Sequence, residues 1–137
     1  AKNLNELVQS LYDSLGKDYG IEAYSLTLLG TAEDFPKSIA RISTPDIAKQ
    51  EVPSVLSSTN ATCGRLNASE MNFLFGDSLN IVGSAAVVIL RSKGNLGILA
   101  LGNSDSEYYT NDMGTIFIDY IAEIISLILP NYLHVQN

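Results

Sequence analysis

The sequence predicts an α+β domain built on an antiparallel sheet, with helices from both ends of the chain on one face. Two apolar segments, 84–90 and 96–102, flank the short turn Lys93-Gly94-Asn95. That turn is too short for a parallel crossover, so the two strands are expected to pair antiparallel. Because uninterrupted apolar strands are usually covered on both faces, we expect a second layer from the middle of the chain, with a pocket beneath it.

The first helix is predicted by apolar residues at intervals of four, three and four, namely Leu4, Val8, Leu11 and Leu15. We expect it to occupy residues 1–20, with the remaining domain spanning 21–137. The apolar pattern is already complete at Leu4, which favours a helix that continues upstream as a coiled coil. The alternative is that this helix lies on the sheet of its own domain, and the sequence leaves both open.

The middle of the chain carries weaker patterns. Residues 21–29 and 38–43 are expected to form strands. Residues 45–56 predict a short helix that Pro53 disturbs, because proline lacks the amide hydrogen that a helix interior needs.

A further helix is predicted to begin at Asn67 and to end at Gly76. Asn67 is expected to cap it, and Glu70 stands at the position from which a carboxylate reaches back to the cap amide. Leu66 and Met71 are spaced for a hydrophobic contact across the start of this helix.

The last helix is expected to run from about 110–112 to Leu129 and to be apolar over an arc of roughly 220°. Two apolar seams follow from its periodicity. One consists of Met113, Phe117, Tyr120, Ile124 and Leu127, and the other of Ile118, Ile121, Ile125 and Ile128. One seam can face the sheet, and we expect the isoleucine seam, with the first helix, to pair with a second copy of the chain. The alternative is that the first helix covers that seam within one molecule.

Composition limits the functions that the chain can have. Fifteen acidic residues against eight basic ones give a net charge of −7, and the basic residues are scattered. Nucleic acid and anionic membranes are therefore not expected as partners. Uninterrupted apolar stretches look too short for a membrane span, and a single cysteine fits a reducing cytoplasm.

No catalytic constellation is evident, and neither a metal nor a cofactor is expected. His134 lies in a polar tail without an evident partner. Cys63 is the one candidate nucleophile, and a cysteine-based redox enzyme is kept as an alternative. The acidic segment 102–112 lacks the spacing of a calcium loop.

Four segments resemble the bacterial family called "domain of unknown function 484", which is regarded as GAF-like. They are CGRL at 63–66, FLFG at 73–76, LGILALGNSD at 96–105 and MGTIFIDYIAEIIS at 113–126. The resemblance implies a central antiparallel sheet of about six strands, terminal helices on one face and a pocket on the other. It also implies an upstream coiled-coil segment. GAF domains are widely small-molecule sensors, and they often dimerise through their terminal helices, so the resemblance implies both properties.

From these observations we expect a non-enzymatic, cytoplasmic, homodimeric sensing or regulatory module. A ligand is expected near Tyr24, Cys63, Arg65 and Phe75, where Arg65 offers a positive charge. The alternative is a structural dimerisation or adaptor domain whose pocket is filled by its own side chains.

Overall fold

The computed structural model describes residues 2–76, 82–109 and 115–133. In chain order its elements are α1 (Leu4–Asp13), β1 (Ala23–Leu29), β2 (Arg41–Ser43), α2 (Pro45–Glu51), α3 (Pro53–Ser57), β3 (Thr62–Gly64), α4 (Ala68–Phe75), β4 (Ser84–Arg91), β5 (Asn95–Asn103) and α5 (Thr115–Ile128). A π-helical turn, Ser14–Asp18, follows α1, and a 3-10 turn, Leu129–Tyr132, continues α5.

The sheet of the described residues has five strands in the order β2-β1-β5-β4-β3. It is mixed, because β1 and β2 run parallel while the other neighbours are antiparallel. The expected antiparallel sheet is therefore corrected to a mixed one, and the expected count of about six strands is not confirmed by the five of the described residues. Residues 30–40 carry the chain back along β1 before β2 begins, so β2 points the same way as β1.

Two apolar layers cover the sheet. The terminal-helix layer places α1 and α5 on Leu26, Leu28, Val88, Leu90, Leu99 and Leu101. The middle layer, formed by α2, α3 and α4, packs on Ala23, Ala85, Val87, Ile89, Ile98 and Ala100. Alternation along each strand sends neighbouring side chains to opposite layers, which explains why the centres of β4 and β5, residues 85–90 and 96–101, carry no polar side chain.

The capped helix and the hairpin form as predicted. Asn67 Oδ1 accepts from the Glu70 amide at 2.8 Å, and Glu70 Oε1 accepts from the Asn67 amide at 2.9 Å. Pro53 divides the predicted single helix into α2 and α3 at Val52. The strand β3, which the sequence did not indicate, pairs antiparallel with β4.

Gly97 allows β5 to approach β1 closely. A Cβ atom there would lie 2.8 Å from the carbonyl oxygen of Thr27. The close approach of the β1 backbone therefore accounts for a glycine at this position.

Candidate functional site

The structure does not bring together the four residues predicted to bind a ligand. Tyr24 and Cys63 are half-buried against the terminal-helix layer, and the Tyr24 ring lies 5.0 Å from that of Tyr12. Two strands separate β1 from β3 in the sheet. At about 4.8 Å per strand, the backbones that carry Tyr24 and Cys63 are therefore about 14 Å apart.

Phe75 lies on the other side of the sheet, in the middle layer. A Cβ atom on Gly102 would lie 3.2 Å from Phe75 Cζ and 3.0 Å from Val82 Cγ1. The Phe75 ring therefore packs into the space that Gly102, which has no side chain, leaves on this face of the sheet. Sequence spacing alone gave no way to assign Phe75 and Tyr24 to opposite faces.

Arg65 lies outside both layers, where it contacts the loop after β5. Its Nε donates to the carbonyl oxygen of Ser106 at 3.2 Å, and its Nη2 lies 3.3 Å from Glu107 Oε1. The Arg65 and Glu107 side chains are 62% and 75% exposed, so the ion pair contributes no more than about 1 kcal/mol. The arrangement holds the loop and does not direct Arg65 into the protein.

The buried side chain of Ser84 anchors that loop through two hydrogen bonds. The buried Ser84 Oγ donates to the carbonyl oxygen of Asp105 at 2.7 Å and accepts from the Tyr109 amide at 3.1 Å. Burial raises the pKa of Tyr109 to about 12, and the neighbouring Tyr108 acts in the same direction. Residues 103–108 of this loop are exposed or half-buried, and the buried Ser84 hydroxyl anchors the loop at Asp105 and Tyr109.

Two further hydroxyl groups lie buried beneath the middle layer. Ser25 and Thr27 on β1 are 5% and 2% exposed, and neither Ser25 Oγ nor Thr27 Oγ1 has a hydrogen-bond partner among the described residues. The sequence did contain a signal, since these polar residues alternate with Leu26 and Leu28. Such alternation usually indicates a solvent-facing strand face, but here the middle layer covers it.

An open groove lies at the β2 edge of the sheet. It has a volume of about 460 Å³ and is lined by Gly30, Thr31, Ala32, Ile42, Ser43, Thr44, Ile47 and Phe73. Ile42 and Ile47 are exposed. Sequence reasoning did not identify this groove, because it is formed by residues distant in the chain.

The outward face of α5 is the most apolar exposed helix surface among the described residues. We use "outer strip" for Ile116, Tyr120 and Leu127, which are 79%, 62% and 75% exposed. The exposed Glu123 lies on the same helix face, between Tyr120 and Leu127. The outer strip lies on the side of α5 opposite the buried Ile118, Ala122 and Ile125. At the border of the outer strip, the rings of Phe117 and Tyr19 stack at 4.9 Å.

The residues predicted to contact a second copy lie mainly inside the single chain. Leu4, Val8, Leu11, Leu15, Ile118 and Ile125 are buried in the terminal-helix layer, whereas Ile121 and Ile128 are half-buried. The isoleucine seam therefore packs mainly on strands of the chain's own sheet, rather than on the first helix alone. The other seam contributes Tyr120 and Leu127 to the outer strip, and Ile116, which belongs to neither seam, completes it.

By length and composition alone, α5 with its 3-10 continuation is long and apolar enough to cross a membrane. This segment, Thr115–Tyr132, has 18 residues, and 22% of it is buried. The expectation that every apolar stretch is too short thus does not hold by this criterion. A core helix of a soluble domain meets the same criterion, and Asp119 of this segment accepts a hydrogen bond from the Ala61 amide at 3.3 Å.

Acidic, cysteine and histidine side chains form no group of three or more suited to a metal within residues 2–76, 82–109 and 115–133. His134 lies outside the described residues, as do the predicted start of the last helix at 110–112 and Met113 of its first seam.

The fold defines an α+β domain with a mixed sheet covered on both faces. A family model described as "Protein of unknown function, DUF484" matches residues 1–134. The chain belongs to this family, as its sequence motifs indicated. No curated protein matches it.

Proposed function

We propose that this chain is a non-enzymatic regulatory module of GAF-like architecture that pairs with a second copy of itself in the cytoplasm. The observation that carries the proposal is the outer strip on α5. Three large apolar side chains at 62–79% exposure on one helix face favour burial against another protein surface. A second copy supplies an identical apolar strip, as an isologous interface requires.

The GAF-like part of the proposal is supported by the layering of the domain. Helices from both chain ends lie on one face of the sheet, and the segment between β2 and β4 covers the other. Its five described strands are fewer than the six or so that the GAF resemblance implies. In this proposal, a ligand in the middle layer shifts the packing of the terminal helices across the sheet and so alters the paired α5 helices.

A covalent trap tests the interface directly. In a Cys63→Ser background, Tyr120→Cys places one thiol at the centre of the outer strip. Ile39→Cys is the matched control, because Ile39 is also exposed, at 49%, but lies just before the edge strand β2, whereas α5 packs mainly on β4. Mild oxidation is expected to give a covalent dimer with Tyr120→Cys only. Equal cross-linking of both variants, or none, contradicts pairing through α5.

A second candidate function, a structural adaptor without a ligand, is favoured by the filling of the middle layer. Val52, Val55 and Leu74 are no more than 2% exposed, and Phe75 packs on Gly102. Both candidates share the paired α5 helices. They differ in whether a small molecule stabilises the domain, which thermal unfolding with added metabolites measures.

A further inference from the structure

We propose that two copies of this chain pair their α5 helices antiparallel, and that Tyr120 of each copy donates a hydrogen bond to Glu123 of the partner subunit. This inference rests on the dimer proposed above. It adds the direction of the two helices, their register and one specific polar contact that crosses the interface.

The exposed residues of α5 form a single stripe with the spacing of a coiled-coil seam. Four side chains of Thr115–Ile128 are exposed, and they follow one another at intervals of four, three and four, namely Ile116, Tyr120, Glu123 and Leu127. At about 100° per residue, these positions fall within an arc of about 60° on the helix. A stripe of this spacing contacts a facing helix along its length when the two helices cross at about 20°. Its shape therefore fits a second long helix.

The stripe complements itself when the second helix runs in the opposite direction. Intervals of four, three and four are the same in both directions along the helix, so a two-fold axis can cross α5 midway between Tyr120 and Glu123. This axis places Ile116 opposite Leu127 of the partner subunit. It also places Tyr120 opposite the partner's Glu123. Aliphatic side chains then meet each other and each carboxylate meets a hydroxyl group, as an isologous interface requires.

The charge of Glu123 favours the antiparallel direction over the parallel one. In a parallel pair each residue of the stripe faces its own copy, so two Glu123 carboxylates would face each other within an apolar contact. Like charges in such a contact repel, and a desolvated carboxylate without a donor is unfavourable. The sequence of α5 contains no lysine or arginine that could neutralise them. In the antiparallel pair, each carboxylate instead accepts a charge-assisted hydrogen bond from the partner's Tyr120.

Both groups of this contact are available in the single chain. Among the described residues, neither the Tyr120 hydroxyl nor the Glu123 carboxylate has a hydrogen-bond or ion-pair partner. The other carboxylate of α5 is already engaged, because Asp119 Oδ1 accepts from the Ala61 amide at 3.3 Å. Glu123 is therefore the acidic group of α5 that a facing helix has to satisfy.

Single-cysteine variants measure the direction of the helices. In the Cys63→Ser background, Ile116→Cys and Leu127→Cys each lie near one end of the stripe, so like positions are about 16 Å apart along an antiparallel pair. Under mild oxidation, neither variant alone is expected to form an intermolecular disulfide. An equimolar mixture of the two, with a size tag on one, is expected to form the mixed disulfide, because Ile116 then faces the partner's Leu127.

A parallel pair gives the opposite result, in which each variant cross-links alone and the mixture adds no mixed product. That result overturns the antiparallel register and leaves the dimer intact. The same holds if the mixture gives no disulfide while Tyr120→Cys alone still cross-links. A wild type that light scattering shows to be monomeric contradicts the dimer and the register together, and favours a basic helix of another protein as the occupant of the stripe.

A double-mutant cycle tests the contact between Tyr120 and Glu123. Tyr120→Phe keeps the ring and removes both interfacial hydroxyls, so the dissociation constant of the dimer is expected to rise by about tenfold or more. In a Glu123→Leu background, the same change is expected to alter this constant by less than about threefold, because the hydroxyl then has no acceptor. An equal effect of Tyr120→Phe in both backgrounds overturns the hydrogen bond.

Discussion

The phenolic oxygen of Tyr12 accepts a hydrogen bond of 2.9 Å from the backbone N–H of Leu26. Tyr12 is on α1, and Leu26 is on β1 just before its pairing with β2 begins at Thr27. A helix side chain therefore satisfies a strand amide at the place where the neighbouring strand is missing. The contact ties the first helix to the sheet in a way that no spacing in the sequence indicates.

Tyr12→Phe is expected to destabilise the domain by about 1–3 kcal/mol, because it leaves the buried Leu26 amide without a partner. The free energy of unfolding in urea measures the effect. Tyr19→Phe is the matched control, since the Tyr19 side chain is 55% exposed, and it is expected to change stability by less than about 0.5 kcal/mol. If both variants lower the free energy of unfolding by the same amount, the Tyr12–Leu26 hydrogen bond does not stabilise the domain specifically.

Ser84→Ala is expected to loosen the loop 103–109. The change removes the acceptor for the Tyr109 amide and the donor for the Asp105 carbonyl, at a cost of about 1–3 kcal/mol. Hydrogen exchange of the Tyr109 amide should accelerate more than that of amides in the centre of β5. Ser92→Ala, in the exposed turn between β4 and β5, is the control. Unchanged protection of Tyr109 would contradict the anchoring role of Ser84.

Stability is expected to fall at high pH because of Tyr109. Its folded-state pKa of about 12 lies above the ordinary tyrosine value near 10, so the folded protein holds this phenolic proton more tightly than the unfolded chain does. This contribution is complete below pH 10 and is lost as the pH rises to about 12, by on the order of 2 kcal/mol. Burial raises the pKa of Tyr12 as well, in the same direction.

Urea unfolding between pH 9 and pH 12 gives the measurement, with Tyr109→Phe as the comparison. The difference in stability between the wild type and this variant should narrow as Tyr109 ionises in the unfolded chain. A difference that stays constant over this range would mean that Tyr109 titrates normally in the folded protein.

Local patterns predicted the elements that local chemistry determines. The reciprocal Asn67–Glu70 cap, the β4–β5 hairpin and the strand that ends before Gly30 all follow from residue types at fixed spacing. The strand β3 was missed because three residues are too few to establish a period of two. The parallel pairing of β2 was missed because a connection of this length allows either direction.

The candidate site was less predictable, because it depends on which face each residue occupies. Tyr24 and Phe75 both look like pocket residues in the sequence, yet strand register sends them to opposite layers. Ser25 and Thr27 alternate with Leu26 and Leu28, a pattern typical of a strand with one face in solvent, but in the structure the middle layer buries both polar residues. The sequence also could not show which of the two seams on the last helix faces the sheet. In the structure it is the isoleucine seam.

The mass of the chain in solution tests the paired α5 helices most directly. Light scattering at high micromolar concentration is expected to give twice the chain mass for the wild type and for Ile39→Glu, which alters an exposed isoleucine beside the edge strand β2 rather than on the β4 side where α5 packs. Leu127→Glu places a second charge on this face, one turn from Glu123, and is expected to give a folded monomer. A monomeric wild type, or a Leu127→Glu variant that remains dimeric, would contradict assembly through the outer strip.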